Sequence, residues 1–439
     1  MPSRQQVLRG LERNAQRMCE ILVGLPDVVV LGVLDGPVTE IHLECRRVPV
    51  GCPECGVIVQ LKEQRIVPFV DLPCFGRPTR LCWHKRRFRC AEADCEKTTW
   101  TKEDARIAAP RMAMTARAGR WATMQVGRFA RSVSEVADDL GCDWHTVNDA
   151  VLAYGEVLVD ADPDRYGTVS ALGLDEVLFA RIGRFHRRDF STQFVDVRTG
   201  QLLDVVPGRS GKEPKAWLEA KGKPWRDEIA YAALDLSGPY RAVLEEMLPD
   251  ATLVADPFHV VKLANSKLDE CRRRVQNETL GHRGRKSDPL YRCRRLLTMA
   301  DERLEENGRT KLLGLLRAGD PRGEVTAAWH AKEAVRELYA HTTAPLALAF
   351  VDRLAEDMCD EVHPIEVRSL GRTLRRWRNE IAAWHASHVS NGPTEAVNNL
   401  IKRVKRAAFG FTSFRNYRVR SLLYAGRPNW ALLATITPA

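Results

Sequence analysis

Three aspartates stand within or at the end of apolar, strand-like runs between residues 167 and 261: Asp175, Asp235 and Asp256. A carboxylate at the end of a buried strand is costly unless a cation or hydrogen bonds stabilise it. Carboxylates that converge at one sheet edge also repel each other, and a divalent metal ion removes that repulsion. The pattern therefore favours a metal-dependent site built on a sheet.

The same stretch predicts an order of strands and helices. Two strand-like runs flank Arg198-Thr199-Gly200, whose glycine can adopt the positive φ of a hairpin turn. The predicted order is a strand, a hairpin pair, a helix, a strand ending at Asp235, a helix and a strand ending at Asp256. Pro257 suits the first turn of a further helix, so Asp256 could simply cap that helix and His259 could be a buried histidine in its first turn.

Length and charge limit the class of protein. A chain of 439 residues is expected to form two to four domains. Apolar runs stay below about 18 residues, and residues 1–16 do not resemble a signal peptide, so we expect a cytoplasmic protein without membrane spans. The formal net charge of +10 favours a polyanionic partner, although charge alone is weak support.

Four of the 12 cysteines form two short-spaced pairs, which the other eight do not. Cys52 and Cys55 form one pair, Cys90 and Cys95 form the other, and a strand-rich spacer separates them. Disulfides are not expected in the cytoplasm, and two such pairs are typical of a tetrahedral four-cysteine zinc site. The alternative is a set of free, partly buried thiols.

A basic strand precedes the second cysteine pair. The sequence RLCWHKRRFRC contains Arg86, Arg87 and Arg89 with Trp83 and Phe88 interleaved, which suits contact with a phosphate backbone. An ordinary solvated strand face explains the same pattern equally well.

Residues 132–158 predict two helices joined by a tight turn. Ser132 and Glu135 form a capping box, Gly141 suits the end of the first helix, and Asp143 can cap a second helix that starts at Trp144. In a helix-turn-helix motif, the second helix presents polar side chains to a DNA groove. The alternative is a plain helical hairpin. The candidate DNA-contacting residues are His145, Thr146 and Asn148.

Strand signals vanish between residues 263 and 388, where charge-rich helical patterns predominate. A further helix is predicted to start near Pro393. On it, Glu395, Asn399, Lys402 and Arg406 recur at helical spacing and share one face. An acid followed by amide and basic groups fits a metal ligand whose neighbours touch phosphates, but an amphipathic helix with a solvated basic face fits as well.

Long motifs in this chain resemble those of a known family. The chain is similar to bacterial DDE transposases of the ISL3 insertion-sequence family, and the similarity extends over nearly its whole length. The motifs that carry the resemblance are CPECG and RFRC-x4-C near the N-terminus, GLDE and ALDLSGPY in the centre, and LPDATLVADPFHVVKLAN and NGPTEAVNNLIKRVKRAAFGF beyond them.

The resemblance implies a multidomain α/β protein with a ribonuclease-H-like mixed sheet. A large all-helical insertion would interrupt that sheet domain, and a small zinc-binding module and a helix-turn-helix would precede it. The implied segments are 1–105 with the zinc module, 110–160 with the helix-turn-helix, 166–262 and 389–439 as two parts of the catalytic domain, and 263–388 as the insertion.

The resemblance also implies a catalytic triad of Asp175, Asp235 and Glu395. Asp235 is preferred over Asp256 because it ends the fourth strand, whereas Asp256 ends the fifth; Asp256 and His259 then have supporting roles. The three acids would bind two Mg²⁺ or Mn²⁺ ions about 4 Å apart, which activate the attacking oxygen and stabilise the leaving one.

The implied partner is double-stranded DNA, both the ends of the element and its target. Asn399, Lys402, Lys405 and Arg406 would contact the DNA backbone, and one structural Zn²⁺ would support a module that reads the inverted repeats. A homodimer or larger assembly associated with the nucleoid is expected. Two other classes stay open: a non-catalytic DNA-binding regulator, and a ribonuclease-H-like nuclease without strand transfer.

Overall fold

A computed structural model describes residues 12–185 and 187–438. The chain divides into two compact units: residues 1–165 with 400–439, and residues 166–399. Within the described ranges, no helix combines the length and apolarity that a membrane crossing requires. The segment boundaries predicted above remain predictions.

The first unit contains a mixed five-stranded sheet. Helix α1 (Ala15–Val23) precedes β1 (Val28–Leu34) and β2 (Thr39–Cys45), and the long β3 (Gln60–Cys74) and β4 (Arg77–Arg89) form a hairpin. The strand order is β1-β2-β4-β3; β2 and β4 are parallel, the other pairs on this path are antiparallel, and β5 (Thr99–Thr101) pairs with β4.

Alternation along β2 and β4 places one face of this sheet against the core of the unit. Ile41, Leu43, Leu81 and Trp83 are buried on that face. Residues between them in sequence point to the opposite face, because successive side chains in a strand alternate. The sheet therefore has an apolar face and a polar face in its central strands.

Helices follow the sheet in the first unit. Helix α2 (Ala116–Thr123) continues as a π-helical turn, and α3 (Val133–Leu140) and α4 (Trp144–Asp160) come next. The capping box of Ser132 and Glu135 is present, Gly141 ends α3 with φ of 59°, and Asp143 accepts a hydrogen bond from the Thr146 amide. These observations confirm the predicted caps of the two helices.

The second unit contains another mixed sheet. Its strands are β6 (Ala171–Ile182), β7 (Arg187–Asp196), β8 (Gln201–Pro207), β9 (Tyr231–Leu234) and β10 (Thr252–Ala255), in the order β10-β9-β6-β7-β8. Strands β6, β7 and β8 are antiparallel, whereas β9 and β10 run parallel to β6. Helices α5 (Lys212–Ala220), α6 (Lys223–Asp227) and α7 (Gly238–Met247) connect them. The order predicted from sequence is confirmed, except that two helices, α5 and α6, stand where one was predicted before β9.

A block of helices follows β10, as the loss of strand signals predicts. These helices are α8 (Pro257–Leu280), α9 (Pro289–Thr298), α10 (Glu306–Gly319), α11 (Glu324–Glu337), α12 (Ala344–Met358), α13 (Ile365–Arg376) and α14 (Arg378–Ser387). Leu268, Trp329 and Leu370 of this block belong to the same buried apolar cluster as Leu174 and Phe194 of the sheet. The sheet and the helical block therefore share one core.

The chain returns to the sheet after the helical block. Helix α15 (Gly392–Ala407) starts in the second unit, which ends at Asn399, and α16 (Phe414–Ala425) follows it. Two hydrogen bonds fix the residue before α15: the Asn391 side-chain amide donates to the Leu174 carbonyl at 3.0 Å, and the Asn391 backbone N–H donates to Asp256 Oδ1 at 3.0 Å. These bonds bring the first turn of α15 to strand β6.

Candidate active site and metal centre

The candidate active site lies where β6 and the ends of β9 and β10 meet the first turns of α8 and α15. Asp175 lies in β6, Asp235 directly follows β9, and Asp256 directly follows β10. His259 lies in the first turn of α8, and Glu395 lies in the first turn of α15. The structure thus brings together five residues that the sequence singled out, across 220 positions of the chain.

Strand β6 and helix α15 approach each other closely beside Asp175. A Cβ at Gly173 would lie 2.4 Å from Thr394 Oγ1, 2.5 Å from a Val197 methyl and 2.8 Å from Asn391 Oδ1. Real side-chain contacts are never so short, so glycine is required at position 173 by the packing of α15 on the sheet. Asp175 lies two positions after Gly173, and Glu395 directly follows Thr394. The close approach therefore places Glu395 near Asp175.

Asp175 is 8% exposed, and both of its carboxylate oxygens have partners. Its Oδ1 accepts a hydrogen bond from the Glu176 backbone N–H at 2.7 Å, and its Oδ2 accepts one from the Asn398 side-chain amide at 2.6 Å. Burial raises the pKa of Asp175 above its usual value, although these hydrogen bonds and His259 oppose that effect. The Asn398 amide orients the carboxylate from the same helix that carries Glu395.

Asp235 differs from Asp175 in its surroundings. Burial and the nearby charge of Asp175 raise the pKa of Asp235 to about 6. Within the described part of the chain, Asp235 Oδ1 is buried and has no hydrogen-bond partner. A buried carboxylate oxygen beside a second carboxylate is unfavourable in the metal-free chain, and a cation between the two groups would remove the conflict.

Asp256 has a structural partner instead. Its Oδ1 accepts the Asn391 N–H described above, and the residue precedes α8 as its N-cap. Burial raises the pKa of Asp256 above its usual value, and the bond from Asn391 opposes this. Asp256 therefore helps to hold the start of α15 in place, whereas Asp235 Oδ1 has no hydrogen-bond partner among the described residues.

His259 and Glu395 complete the cluster. His259 Nε2 lies 3.4 Å from Glu395 Oε1, and the Glu395 side chain is 41% exposed. An imidazole beside several carboxylates lowers their mutual repulsion when it carries a proton. The exposed Glu395 forms the open side of a site whose other acids are buried.

Sequence reasoning missed the roles of Asn391 and Asn398 in this site. The Asn391-Gly392 pair predicts only a turn, and no sequence pattern assigns a role to Asn398. The spacing offered a signal for Asn398, because it lies three positions after Glu395 and so on a neighbouring part of the same helix face. No local pattern indicates which strand an asparagine side chain will reach.

The predicted DNA-contacting residues of α15 follow Glu395 along the helix. Asn399, Lys402 and Arg406 are exposed, and Lys405 is half-buried. Burial lowers the pKa of Lys405 below its usual value. Four residues with amide or cationic groups are thus presented on the helix that starts at the acid cluster.

The other predicted DNA-contacting residues vary in exposure. Arg89 and His145 are exposed, and Thr146 is half-buried. Arg86 forms an ion pair with Glu44 at 3.0 Å and is 11% exposed, whereas Arg87 pairs with Glu63 at 3.3 Å. Asn148 is 8% exposed, so its amide is buried among the helices rather than presented outward.

The four cysteines with paired spacing converge in the first unit. Cys52 Sγ lies 3.7 Å from Cys95 Sγ, and Cys55 Sγ lies 3.5 Å from Cys90 Sγ. All four sulfurs lie within 4.8 Å of one another. Zn–S bonds of about 2.3 Å in a tetrahedron place sulfurs about 3.8 Å apart, so the cluster fits one zinc ion.

Comparison with known proteins shows several related sequences. A family model for transposases of the ISL3 type matches residues 172–421. The transposase for insertion sequence element IS1557 of Mycobacterium tuberculosis, found in two strains, is 28% identical over 304 residues, which is 65% of this chain and 66% of that protein. The chain thus spans slightly less than two thirds of that relative. The transposase for insertion sequence element IS1001 of Bordetella parapertussis is 24% identical over 372 residues, 82% of this chain and 85% of that protein.

The raised pKa of Asp235 predicts how stability depends on pH. A carboxyl group with a higher pKa in the folded chain than in the unfolded chain binds its proton more tightly when folded. In metal-free protein, its contribution to stability is therefore present below the unfolded value of 3.8 and lost as the pH rises through about 6. We expect Asp235→Asn to raise the free energy of unfolding at pH 7.5 by on the order of 2 kcal/mol.

The measurement is thermal unfolding in a chelator between pH 4 and 7.5. Asp235→Asn should flatten the fall in the unfolding midpoint over that range, whereas Asp250→Asn, at an exposed position, should not. Adding Mn²⁺ at pH 7.5 should stabilise the wild type more than Asp235→Asn. Equal pH profiles for the wild type and Asp235→Asn would contradict the buried, repelled carboxylate.

The four-cysteine cluster predicts that zinc orders the loops around it. Removing zinc with a chelator should make residues 46–59 and 90–98 susceptible to limited proteolysis, because the loops have no other cross-link of comparable strength. Cys55→Ser should produce the same pattern, and since Cys55 is exposed its replacement disturbs little packing. Cys74→Ser, a half-buried thiol outside the cluster, is the matched control. Identical digestion patterns with and without zinc would contradict the prediction.

Proposed function

Because the chain belongs to the ISL3 family of DDE transposases, we propose that it is the transposase of a bacterial insertion sequence. Its activity would be metal-dependent cleavage of DNA at the element ends and joining of those ends to a target. The observation that carries the proposal is the cluster of Asp175, Asp235 and Glu395, assembled from β6, the end of β9 and the start of α15.

The sheet topology supports a ribonuclease-H-like catalytic domain. An antiparallel meander of three strands, followed by two parallel strands added on the side of the first, gives the order β8-β7-β6-β9-β10. In this arrangement β6 and β9 are neighbours, so an acid in β6 and an acid after β9 reach the same edge. Asp256 lies one strand further away, after β10.

The residues present fit divalent cations. The donor atoms are carboxylate oxygens, which suit Mg²⁺ or Mn²⁺. Asp235 Oδ1 is buried without a partner, as expected of a ligand atom, and the pKa values of Asp175 and Asp235 are raised by burial. We assign Asp175, Asp235 and Glu395 as the residues that would hold two such ions. Bound ions would supply activation of the attacking oxygen and stabilisation of the leaving oxygen.

The other residues of the site position these three acids. Asn398 holds the Asp175 carboxylate, Asn391 fastens α15 to β6 and to Asp256, and His259 contacts Glu395. None of these groups needs to form a covalent bond with DNA. The proposed reaction is therefore a direct displacement at phosphorus in which water, or later a DNA 3′-hydroxyl, is the attacking group.

The proposed DNA contacts combine three parts of the chain. Exposed basic residues on α15 would hold the DNA backbone next to the acids. The helix-turn-helix and the zinc module would recognise the terminal inverted repeats, with His145 and Arg89 as exposed candidates. We further propose that the active form is a homodimer or larger assembly.

Purified protein should cleave DNA that carries its own element ends in the presence of Mg²⁺, and should join cut ends to a target plasmid. Asp175→Asn, Asp235→Asn and Glu395→Gln should each lower cleavage by about a thousandfold, because loss of a metal contact removes several kcal/mol of transition-state stabilisation. Asp256→Asn should retain far more activity, since the asparagine oxygen can still accept the Asn391 N–H.

Each outcome of this experiment separates the alternatives. An inactive Asp256→Asn beside an active Asp235→Asn would reverse the assignment of the second acid. Cleavage without joined product would indicate a nuclease without strand transfer. Specific binding of the ends without any cleavage by the wild type would indicate a DNA-binding regulator.

The basic face of α15 predicts a change in salt dependence. Lys402→Ala and Arg406→Ala should each weaken binding of DNA regardless of its sequence, and reduce the slope of log affinity against log salt by about one. Lys311→Ala, which removes an exposed cation from α10, is the matched control and should leave the slope unchanged. Fluorescence anisotropy at several salt concentrations measures this slope. An unchanged slope in both α15 variants would remove this face from the DNA interface.

A further inference from the structure

The polar face of the first sheet carries a second group of metal-ligating side chains. Glu40 and His42 are two positions apart on β2, and Cys82 and His84 are two positions apart on β4. Side chains at this spacing share one face of a strand, and all four project from the face opposite the buried core. Strands β2 and β4 are parallel neighbours, and His42 pairs directly with Cys82. The register therefore places a carboxylate, an imidazole and a thiol side by side.

The distances within this group are close to those of a coordination shell. One ligand atom each from Glu40, His42 and Cys82 lie within 4.8 Å of one another. His42 Nε2 lies 3.7 Å from Glu40 Oε2, and Cys82 Sγ lies 3.9 Å from the same oxygen. Tetrahedral zinc with ordinary bond lengths needs ligand atoms about 3.3–3.6 Å apart, so small side-chain rotations suffice.

The fourth residue, His84, supports the imidazole of His42. His84 Nε2 lies 3.0 Å from His42 Nδ1, which is hydrogen-bonding distance. When His42 Nδ1–H donates to His84, the lone pair of His42 Nε2 is directed away from His84 and is available to a metal. Metal-bound histidines in proteins are oriented by a partner on their other ring nitrogen in this way.

The surroundings of the group are compatible with a cation. Cys82 is 5% exposed, which shields a thiolate from solvent and from oxidation. The guanidinium of Arg80, on the same face of β4, donates to the backbone carbonyls of Leu140 and Gly141 at the end of α3. Its charge is thus directed to a helix C-terminus, where cations are favoured.

We propose that Glu40, His42 and Cys82 form a second transition-metal site, separate from the four-cysteine cluster, with His84 orienting His42. One sulfur, one nitrogen and one oxygen ligand select a borderline ion such as Zn²⁺ over Mg²⁺ or Ca²⁺. Three protein ligands leave one position for water or for a group from another molecule. A bound ion would cross-link β2 to the middle of β4, the strand that leads directly to Cys90.

The test counts zinc ions per full-length chain after equilibration with Zn²⁺ in excess Mg²⁺, which occupies sites made of oxygen ligands. The wild type should bind two zinc ions. His42→Ala and Cys55→Ser should bind one each, and the double variant should bind none. His363→Ala is the matched control and should keep two, because His363 is similarly half-buried and lies 3.5 Å from Asp357 but belongs to neither group of potential metal ligands in the described part of the chain.

Two further measurements keep the outcome decisive. His84→Ala should still bind two zinc ions at saturation but hold one of them 10–100-fold more weakly, as loss of an orienting partner does. If His42→Ala does not fold, Glu40→Gln replaces it. Zinc should raise the thermal unfolding midpoint of Cys55→Ser but not that of the double variant. Equal zinc content in the wild type and His42→Ala would overturn the proposal, whereas equal zinc content in the wild type and Cys55→Ser would count against the four-cysteine site instead.

Discussion

Two buried carboxylates repel each other at the centre of the candidate site in the second unit. Asp175 and Asp235 lie on neighbouring strands, and burial and mutual charge raise the pKa of Asp235 to about 6. Burial of Asp235 is costly for the fold, because this carboxylate loses hydration and its Oδ1 gains no hydrogen-bond partner among the described residues. Cations held between the two groups, as proposed above, would relieve this repulsion and stabilise the folded chain.

The neighbours of these acids divide into groups that fix geometry and groups that remain available. The side-chain amides of Asn391 and Asn398 both donate hydrogen bonds to β6 and so join α15 to that strand. Asp256 accepts a hydrogen bond from the backbone N–H of Asn391. Asp235 Oδ1 has no such commitment among the described residues. This difference between Asp235 and Asp256 is a chemical argument for the same choice that counting strands suggested.

Much of the fold could be predicted from the sequence because its signals are local. The Arg198-Thr199-Gly200 turn and the Ser132–Glu135 capping box each depend on a few adjacent residues, and the loss of strand patterns between residues 263 and 388 is read from neighbouring residues as well. The convergence of the paired cysteines was predictable from spacing alone.

The contacts that the sequence did not reveal are those between distant segments. Asn398 reaches Asp175 across 223 positions, and His42 meets Cys82 through a strand register that alternation cannot determine. The burial of Asn148 likewise depends on which side of α4 faces its neighbours.

The two hydrogen bonds of Asn391 to Leu174 and Asp256 have a consequence for the newly made polypeptide. Its partners Leu174 and Asp256 are synthesised long before it, since they lie 217 and 135 positions earlier. During translation, the sheet and most of the helical block can form while the segment that delivers Glu395 is still inside the ribosome. A product truncated just before residue 391 would contain every strand of the second sheet and the helical block but would lack Glu395. The group of acids can therefore assemble only after the C-terminal part of the chain has been synthesised.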